Sequence, residues 1–295
     1  MNRTRFAPSP TGPLHLGHAY SALLAFDQAR QAGGAFLLRI EDIDQSRARG
    51  EWEDLIYEDL HWLGLRWPVP VMRQSDRLDA YASALDHLSE LGVIYPCRCK
   101  RADIEAAASA PQEGVPQFGP DGRIYPGTCR HRAMHEAGPD DVIRLNMYEA
   151  AKIVPVLSFF ETGPRHQGHH QITTQDLCQS AGDIILRRRG MGGSYHLSVV
   201  VDDSDQVITQ VTRGEDLFSA TPLHVLLQNL LGLPTPLYHH HHLIRDESGK
   251  RLAKRDDARA IRQYRDDGMT PDDLRALLGL TITADLDRPR VIPQG

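Results

Sequence analysis

The sequence predicts an α/β fold built on a parallel, doubly wound sheet of the Rossmann type, and three observations predict it. Residues 3–91 alternate short apolar runs with amphipathic stretches of helical period, the pattern of strand–helix–strand units. The first of those runs enters a proline-rich loop that opens onto a helix beginning with glycine and two histidines. The balance of 41% apolar and 24% charged residues over 295 positions is that of a folded globular chain, long enough for about two domains.

Arg3 to Ala7 reads as a short strand, and Pro8-Ser9-Pro10-Thr11-Gly12-Pro13 as a loop no helix can cross. From His15 to Gln31 the positions Leu16, Ala19, Leu23, Leu24 and Ala29 fit one face of a helix. Phe36 to Ile40 is a buried strand ending in Glu41-Asp42-Ile43-Asp44. Helices follow over Glu51–Leu63 and Arg77–Leu91. Residues 106–122, rich in Ala, Pro, Gly and Gln, read as a surface loop within an insertion running from Pro96 to Gly163. A helix is expected over Thr173–Arg189, strands over Ser194–Val201 and Val207–Thr212, and a helix over Thr221–Leu231 with Thr221 as its cap and Pro222 first. One more capped helix starts at Thr270-Pro271.

Apolar runs such as Val199-Val200-Val201 fall far short of the roughly 18 residues a membrane span needs. The N-terminus lacks a signal-like apolar stretch, so a cytoplasmic protein is expected. A net charge of −6 argues against a generic nucleic-acid coat. Arg187-Arg188-Arg189 is either a local basic face for nucleic acid or a solvated helix end. His239–His242, read as a strand, would face alternate ways and could not chelate together, so it reads as structural or incidental.

The N-terminal loop carries the strongest chemistry. Gly17 lets a ligand approach the backbone, and the helix start offers unpaired N–H groups to phosphate. His15 and His18, three apart, can face the same polyphosphate. The basic run Lys250-Arg251-Leu252-Ala253-Lys254-Arg255 supplies charge of the kind that steadies a departing pyrophosphate. Cys97, Cys99 and Cys129 have the look of a metal site rather than a disulfide framework. His131, two residues past Cys129, competes with Tyr125 for the fourth ligand position. Cys178 lies on a helical face and reads as core.

Taken together these motifs resemble the paired signatures of class I aminoacyl-tRNA synthetases. Arg5-Phe6-Ala7-Pro8-Ser9-Pro10-Thr11-Gly12, Leu38-Arg39-Ile40-Glu41-Asp42-Ile43-Asp44 and Val211-Thr212-Arg213-Gly214-Glu215-Asp216-Leu217 are similar to the glutamyl branch, and the likeness spans residues 3 to 265. Because only residues 255–295 follow Lys254, the chain more closely resembles the truncated glutamyl-queuosine tRNA(Asp) synthetases, which lack the anticodon-binding domain.

The resemblance implies a Rossmann-like synthetase domain in two halves, 1–95 and 164–237. A zinc-bearing insertion at 96–163 separates them, and a lysine loop with a short helical region occupies 238–295. It implies glutamate binding by Arg5, Ala7, Ser9, Glu41, Tyr195 and Arg213, and ATP binding by His15, Gly17, His18 and Lys254. His15, His18 and Lys254 would be catalytic. It favours Tyr125 beside Cys97, Cys99 and Cys129 as the structural Zn2+ ligands, with Mg2+ accompanying ATP. The implied partners are ATP, L-glutamate and queuosine-containing tRNA(Asp), for a monomer with no membrane contact. The lysine loop departs from the pattern: Arg251 stands near the first lysine and Ala253 replaces the common serine. Alternatives are an ordinary glutamyl-tRNA synthetase charging the 3′ end, a non-catalytic RNA-binding paralogue, or a smaller nucleotidyltransferase.

Overall fold

The computed structural model describes residues 1–107, 118–120, 122–244 and 259–280. The chain opens with β1 (Arg3–Phe6), α1 (Leu16–Gln31), β2 (Ala35–Ile40), α2 (Gly50–Trp62), β3 (Met72–Arg73) and α3 (Leu78–Glu90). It continues through β4 (Ile94–Cys97), α4 (Arg101–Ala107), β5 (Phe118–Gly119), β6 (Gly122–Arg123), β7 (Val142–Leu145) and α5 (Met147–Ile153). Next come β8 (Val156–Glu161), β9 (Gly168–Thr173), α6 (Thr174–Ser180), β10 (Ile185–Arg187) and α7 (Tyr195–Asp205). Then β11 (Gln210–Gly214), α8 (Thr221–Leu230), β12 (Leu237–His241), α9 (Ile261–Asp266) and α10 (Pro271–Leu277) complete it.

β1, β2 and β3 pair in parallel in the order β1-β2-β3, and β11, β12 and β8 do so in the order β11-β12-β8, with β9 closing the edge as a hairpin. The Thr209 N–H donates to the Arg3 carbonyl at 3.0 Å and the Arg3 N–H to Thr209 Oγ1 at 2.8 Å, which sets β1 beside the start of β11. From that seam the chain winds outward in two directions. Such a switch point leaves a crevice at the carboxyl ends of the strands, where ligands of this fold class bind.

The core follows the same division. One cluster packs α1 and α2 on β1 and β2 and takes in Ile261, Leu274 and Leu278 from the C-terminal helices. The other joins α3, α5, α6, α7 and α8 to β8, β11 and β12. A third, small cluster surrounds Tyr95, Cys97, Tyr125, Cys129 and Val142. Its antiparallel sheet, in the order β10-β7-β4, draws chain from both sides of the 96–163 segment. Asp183, 2% exposed, ties this sheet down by accepting from the Tyr95 hydroxyl, Arg130 Nε and the Met147 N–H.

Three expectations are corrected. Ser194–Val201 is not a strand but the start of α7. The Val199–Val201 run has strand-like composition, yet this helix is buried on nearly every side and so needs apolar residues all round. The helix expected over Thr173–Arg189 stops at Ser180. Gly182 then adopts φ +64°, and the chain turns into β10. The strand expected from Val207 starts at Gln210, because Val207 itself sits at φ +53° in a turn. A smaller shift concerns α8, capped by Ala220 with Thr221 already inside the helix.

No described helix is long and apolar enough to cross a membrane.

Candidate active site

A cavity of about 250 Å³ opens at the switch point. Its floor comes from the ends of four strands: Phe6 at the end of β1 with Ala7 just after it, Glu41 after β2, Arg213 and Gly214 on β11, and His241 on β12. His15, Gly17 and His18 close one side from the start of α1, and Tyr195 and Val199 of α7 close another. Of the expected site residues the structure thus brings together Arg5, Ala7, Glu41, Tyr195, Arg213, His15, Gly17 and His18. Ser9 is exposed and does not line the cavity. Lys254, with the whole 250–255 run, lies outside the described residues, as does most of the 106–122 loop.

The start of α1 is built from its own histidines. His15 Nδ1 accepts the Gly17 N–H at 3.1 Å, and His18 Nδ1 accepts the His15 N–H at 3.2 Å. The two rings stack at 3.8 Å. An imidazole nitrogen that accepts carries no proton, so in both neutral rings the proton is on Nε2, the donor a phosphate oxygen needs. Gly17 suits this arrangement, since a Cβ there would stand 3.1 Å from His15 Cε1 and press on the ring.

Behind the cavity lining Asp203, buried on α7, takes Arg5 Nε at 2.9 Å and Nη2 at 3.2 Å. It also takes Arg39 Nη1 at 2.7 Å. Burial acts to raise the Asp203 carboxyl, but the Arg5 and Arg39 guanidinium groups outweigh it and hold the group below its ordinary range. Arg39 is fully buried; burial opposes its charge, and Asp203, Glu41 and Asp202 overcome that and raise its pKa. Arg39 Nη2 also reaches Glu41 Oε1 at 3.3 Å. Burial raises the Glu41 carboxyl despite Arg39 and Arg5, so an ammonium brought beside it would favour its ionised form.

Arg213 is different. Its Nε donates to His240 Nε2 at 3.0 Å, Nη1 meets His224 Nδ1 at 3.0 Å, and Nη2 donates to Thr221 Oγ1 at 2.9 Å. All these partners are neutral groups, and among the described residues no carboxylate forms an ion pair with Arg213. The cavity therefore holds one arginine already matched to a carboxylate, Arg5, and one whose charge is left for a ligand.

Away from the cavity, the sulfurs of Cys97, Cys99 and Cys129 lie within 4.8 Å of one another. The Tyr125 hydroxyl sits among them, 3.3 Å from Cys97 Sγ and 3.4 Å from Cys99 Sγ, and accepts the Cys129 N–H at 2.9 Å. His131 is exposed and is not part of the group. A tetrahedral zinc ion holds thiolates at ~2.3 Å, which spaces the sulfurs ~3.8 Å apart, and the observed spacing fits. Cys178 is buried in the main core, as expected.

A second, larger groove of about 1100 Å³ runs past this cluster and is lined in part by Lys100, Arg101, Arg123, Arg144, Arg188 and Arg189. The 187–189 run thus ends β10 and edges the groove rather than ending a helix, with Arg189 Nη2 donating to the Arg98 and Cys99 carbonyls. His239–His241 lie on β12 and His242 just after it, with His241 and His242 both packed against Tyr20, and the three cysteines are the one group of three or more candidate metal ligands found among the described residues. Asp203, His224 and Glu161 escaped the sequence reading, because nothing local marks them; Arg39 appeared there only within the Leu38–Asp44 motif, and His240 only within a histidine run read as structural or incidental.

Alongside its paired histidines at a helix start and its two-way wound parallel sheet, the chain as a whole also matches a known family. The family described as tRNA synthetases class I (E and Q), catalytic domain, matches residues 1–287, and the chain belongs to it. The Glutamyl-Q tRNA(Asp) synthetase of Rhodobacter capsulatus is 59% identical over 280 residues, 94% of this chain and 99% of its own length. That of Nitratidesulfovibrio vulgaris is 40% identical over 95% of this chain and 86% of its own length. The solved glutamate tRNA ligase of Elizabethkingia meningosepticum, in complex with its amino acid, superposes with a TM-score of 0.65 at 28% identity. The match covers 86% of this chain and 52% of that one, so the chain spans about half the length of that ligase.

Proposed function

We propose that the chain activates L-glutamate with ATP, without needing tRNA, and transfers it to queuosine in the anticodon loop of tRNA(Asp). The observation that carries the activation step is the cavity itself, which is lined at once by Glu41, by the His15–His18 pair and by an arginine, Arg213, that no described carboxylate pairs. The acceptor rests on the close likeness to relatives named for it.

In the first step a glutamate α-carboxylate oxygen attacks the α-phosphorus of ATP and pyrophosphate leaves. The carboxylate is ionised near neutral pH, so no general base is needed. Arg213 receives the side-chain carboxylate, Glu41 the α-ammonium, and the Nε2–H groups of His15 and His18 the phosphate oxygens. Ala7 and Tyr195 shape the amino-acid side, and Ser9 and Lys254 are kept as further contacts on the family pattern. Ile244 lines the cavity and Ala260 pairs with His15, so the described residues on either side of 245–258 adjoin the nucleotide end. Magnesium would accompany the ATP phosphates. In the second step an RNA hydroxyl attacks the activated carbonyl, forming the ester and releasing AMP.

The basic groove beside the cysteine cluster is the proposed RNA-facing surface of the 96–163 insertion. Zinc held by Cys97, Cys99, Cys129 and Tyr125 would supply cross-linking rather than chemistry, since four protein ligands leave no open position. Protein purified without a nickel step is expected to carry one zinc per chain. Chelation should lower the melting temperature and impair RNA transfer more than adenylate formation. Metal-free protein of unchanged stability would remove zinc from the assignment.

Labelled glutamate offered with bulk tRNA from queuosine-proficient and queuosine-deficient cells tests the whole reading. Label is expected only on the proficient tRNA. Equal labelling of both pools would mean charging at the 3′ end, and no label on either would defeat the transfer step.

A further inference from the structure

Behind Arg213 the structure holds a buried chain of groups that the proposed reaction does not use. Glu161, 2% exposed at the end of β8, accepts the His240 backbone N–H at 2.9 Å and the Gly163 N–H at 2.5 Å through one oxygen. Its other oxygen meets His240 Nδ1 at 2.5 Å. His240 Nε2 then faces Arg213 Nε. Three short contacts converge on a carboxylate that no arginine or lysine among the described residues touches.

Proton bookkeeping fixes the direction of this chain. Arg213 Nε always carries hydrogen, so His240 Nε2 must accept, and the ring proton must be on Nδ1, where Glu161 Oε2 accepts it. That arrangement requires an ionised Glu161 and a neutral His240. Burial alone would raise the Glu161 carboxyl, but the His240 and Gly163 donors outweigh it and bring it to about 2. Burial holds His240 below its ordinary range. The same logic applies on the other side of the guanidinium, where burial and Arg213 push His224 well below 6.5, leaving its Nδ1 as an acceptor.

We propose that Glu161 and His240 are positioning residues for substrate recognition. Glu161 fixes the His240 tautomer, and His240 in turn aims Arg213 at the substrate carboxylate without neutralising it. A carboxylate in direct contact with Arg213 would orient it equally well and compete with the substrate. An imidazole placed between the two keeps the orientation and removes the competitor. The site is built for this: a Cβ on Gly163 would stand 2.7 Å from Glu161 Oε1 and 2.2 Å from the His240 carbonyl oxygen, so only glycine leaves room.

The inference rests on Arg213 receiving the carboxylate of glutamate, and Glu161→Gln tests it through a specific proton reversal. The amide oxygen stays with the two backbone N–H donors, and its NH2 takes the place of Oε2. That NH2 must donate to His240 Nδ1, which moves the ring proton to Nε2 and points it at the Arg213 Nε–H. His240→Gln supplies an amide oxygen near the position of Nε2 whatever the state of residue 161.

Glutamate-dependent ATP–pyrophosphate exchange by the full chain is the measurement. Glu161→Gln is expected to raise the glutamate KM about tenfold or more, with kcat and the ATP KM within about threefold. Glu161→Gln/His240→Gln is expected to recover most of that loss. An unchanged glutamate KM in folded Glu161→Gln would overturn the relay, as would a double variant no better than the single. If Glu161→Gln does not fold, 15N-histidine NMR of the wild-type protein decides: a bare Nε2 on His240 supports the relay and a protonated Nε2 overturns it. An absence of glutamate-dependent exchange in the wild type, or indifference to Arg213→Ala, would instead defeat the underlying glutamate reading.

Discussion

Arg213→Ala is expected to raise the glutamate KM by roughly 10²- to 10³-fold while the ATP KM stays within a few-fold. Truncating one member of a buried, hydrogen-bonded charge pair costs about 2–5 kcal/mol, and each 1.4 kcal/mol is about tenfold. Arg213 is expected well above the lower end of that range because nothing else in the cavity can replace it. Arg5, the other arginine there, already spends two of its N–H donors on Asp203 at 2.9 and 3.2 Å. The variant also strips a partner from His240 and His224, both buried. Arg213→Lys should recover little, since one ammonium cannot meet His240, His224 and Thr221 together as a planar fork does. Steady-state ATP–pyrophosphate exchange over a wide range of glutamate concentrations measures it. A KM unchanged in folded Arg213→Ala would place Arg213 outside the amino-acid pocket.

The prominence of Arg213 over Arg5 could not have been read from the sequence. Both are arginines at strand ends in family-like motifs, and only the fold shows that one is matched to a carboxylate and the other to imidazoles. The residues that make this distinction come from distant segments: Asp203 from α7, Glu161 from β8 and His240 from β12. The segment carrying Asp203 was also the one misread. Its valines favour a strand when counted singly, whereas tertiary burial makes it a helix and so places Asp202 and Asp203 against Arg39. Strand–helix alternation in the first ninety residues was legible because β1, α1, β2, α2 and α3 each satisfy a local pattern. The start of α1 was legible for the same reason, since its capping contacts span only residues 15 to 18.

The cysteine cluster lies between these extremes. Cys97 and Cys99 are close in sequence and hinted at a metal, but spacing alone left Tyr125 and His131 as rivals. The fold separates them by placing one hydroxyl among the sulfurs and leaving the imidazole exposed. Which side chain meets the sulfurs is set by backbone path, which sequence distance does not encode. Gly127, at φ +85° between Tyr125 and Cys129, is where that path turns.

His18→Ala is expected to act on a different parameter from Arg213→Ala. Single-turnover adenylate formation should slow by roughly 10²- to 10³-fold, the loss typical of one preorganised donor to developing charge, with the glutamate KM within about threefold. The reason is spatial. His18 lines the cavity from α1 whereas Arg213 enters it from β11, and the His18 Nδ1 is committed to the His15 backbone at 3.2 Å. Its Nε2–H is thereby aimed by the helix itself rather than by a flexible rotamer, and a donor already in place costs nothing to orient as charge builds on the phosphate. His18→Asn separates positioning from donation. Its amide can accept the His15 N–H but cannot reach as far as Nε2, so helix stability should be kept while the rate stays low. His18→Gln, which reaches further, should recover part of the rate. A variant whose glutamate KM rises while the chemical step is unaffected would move His18 out of the catalytic group and into the amino-acid pocket.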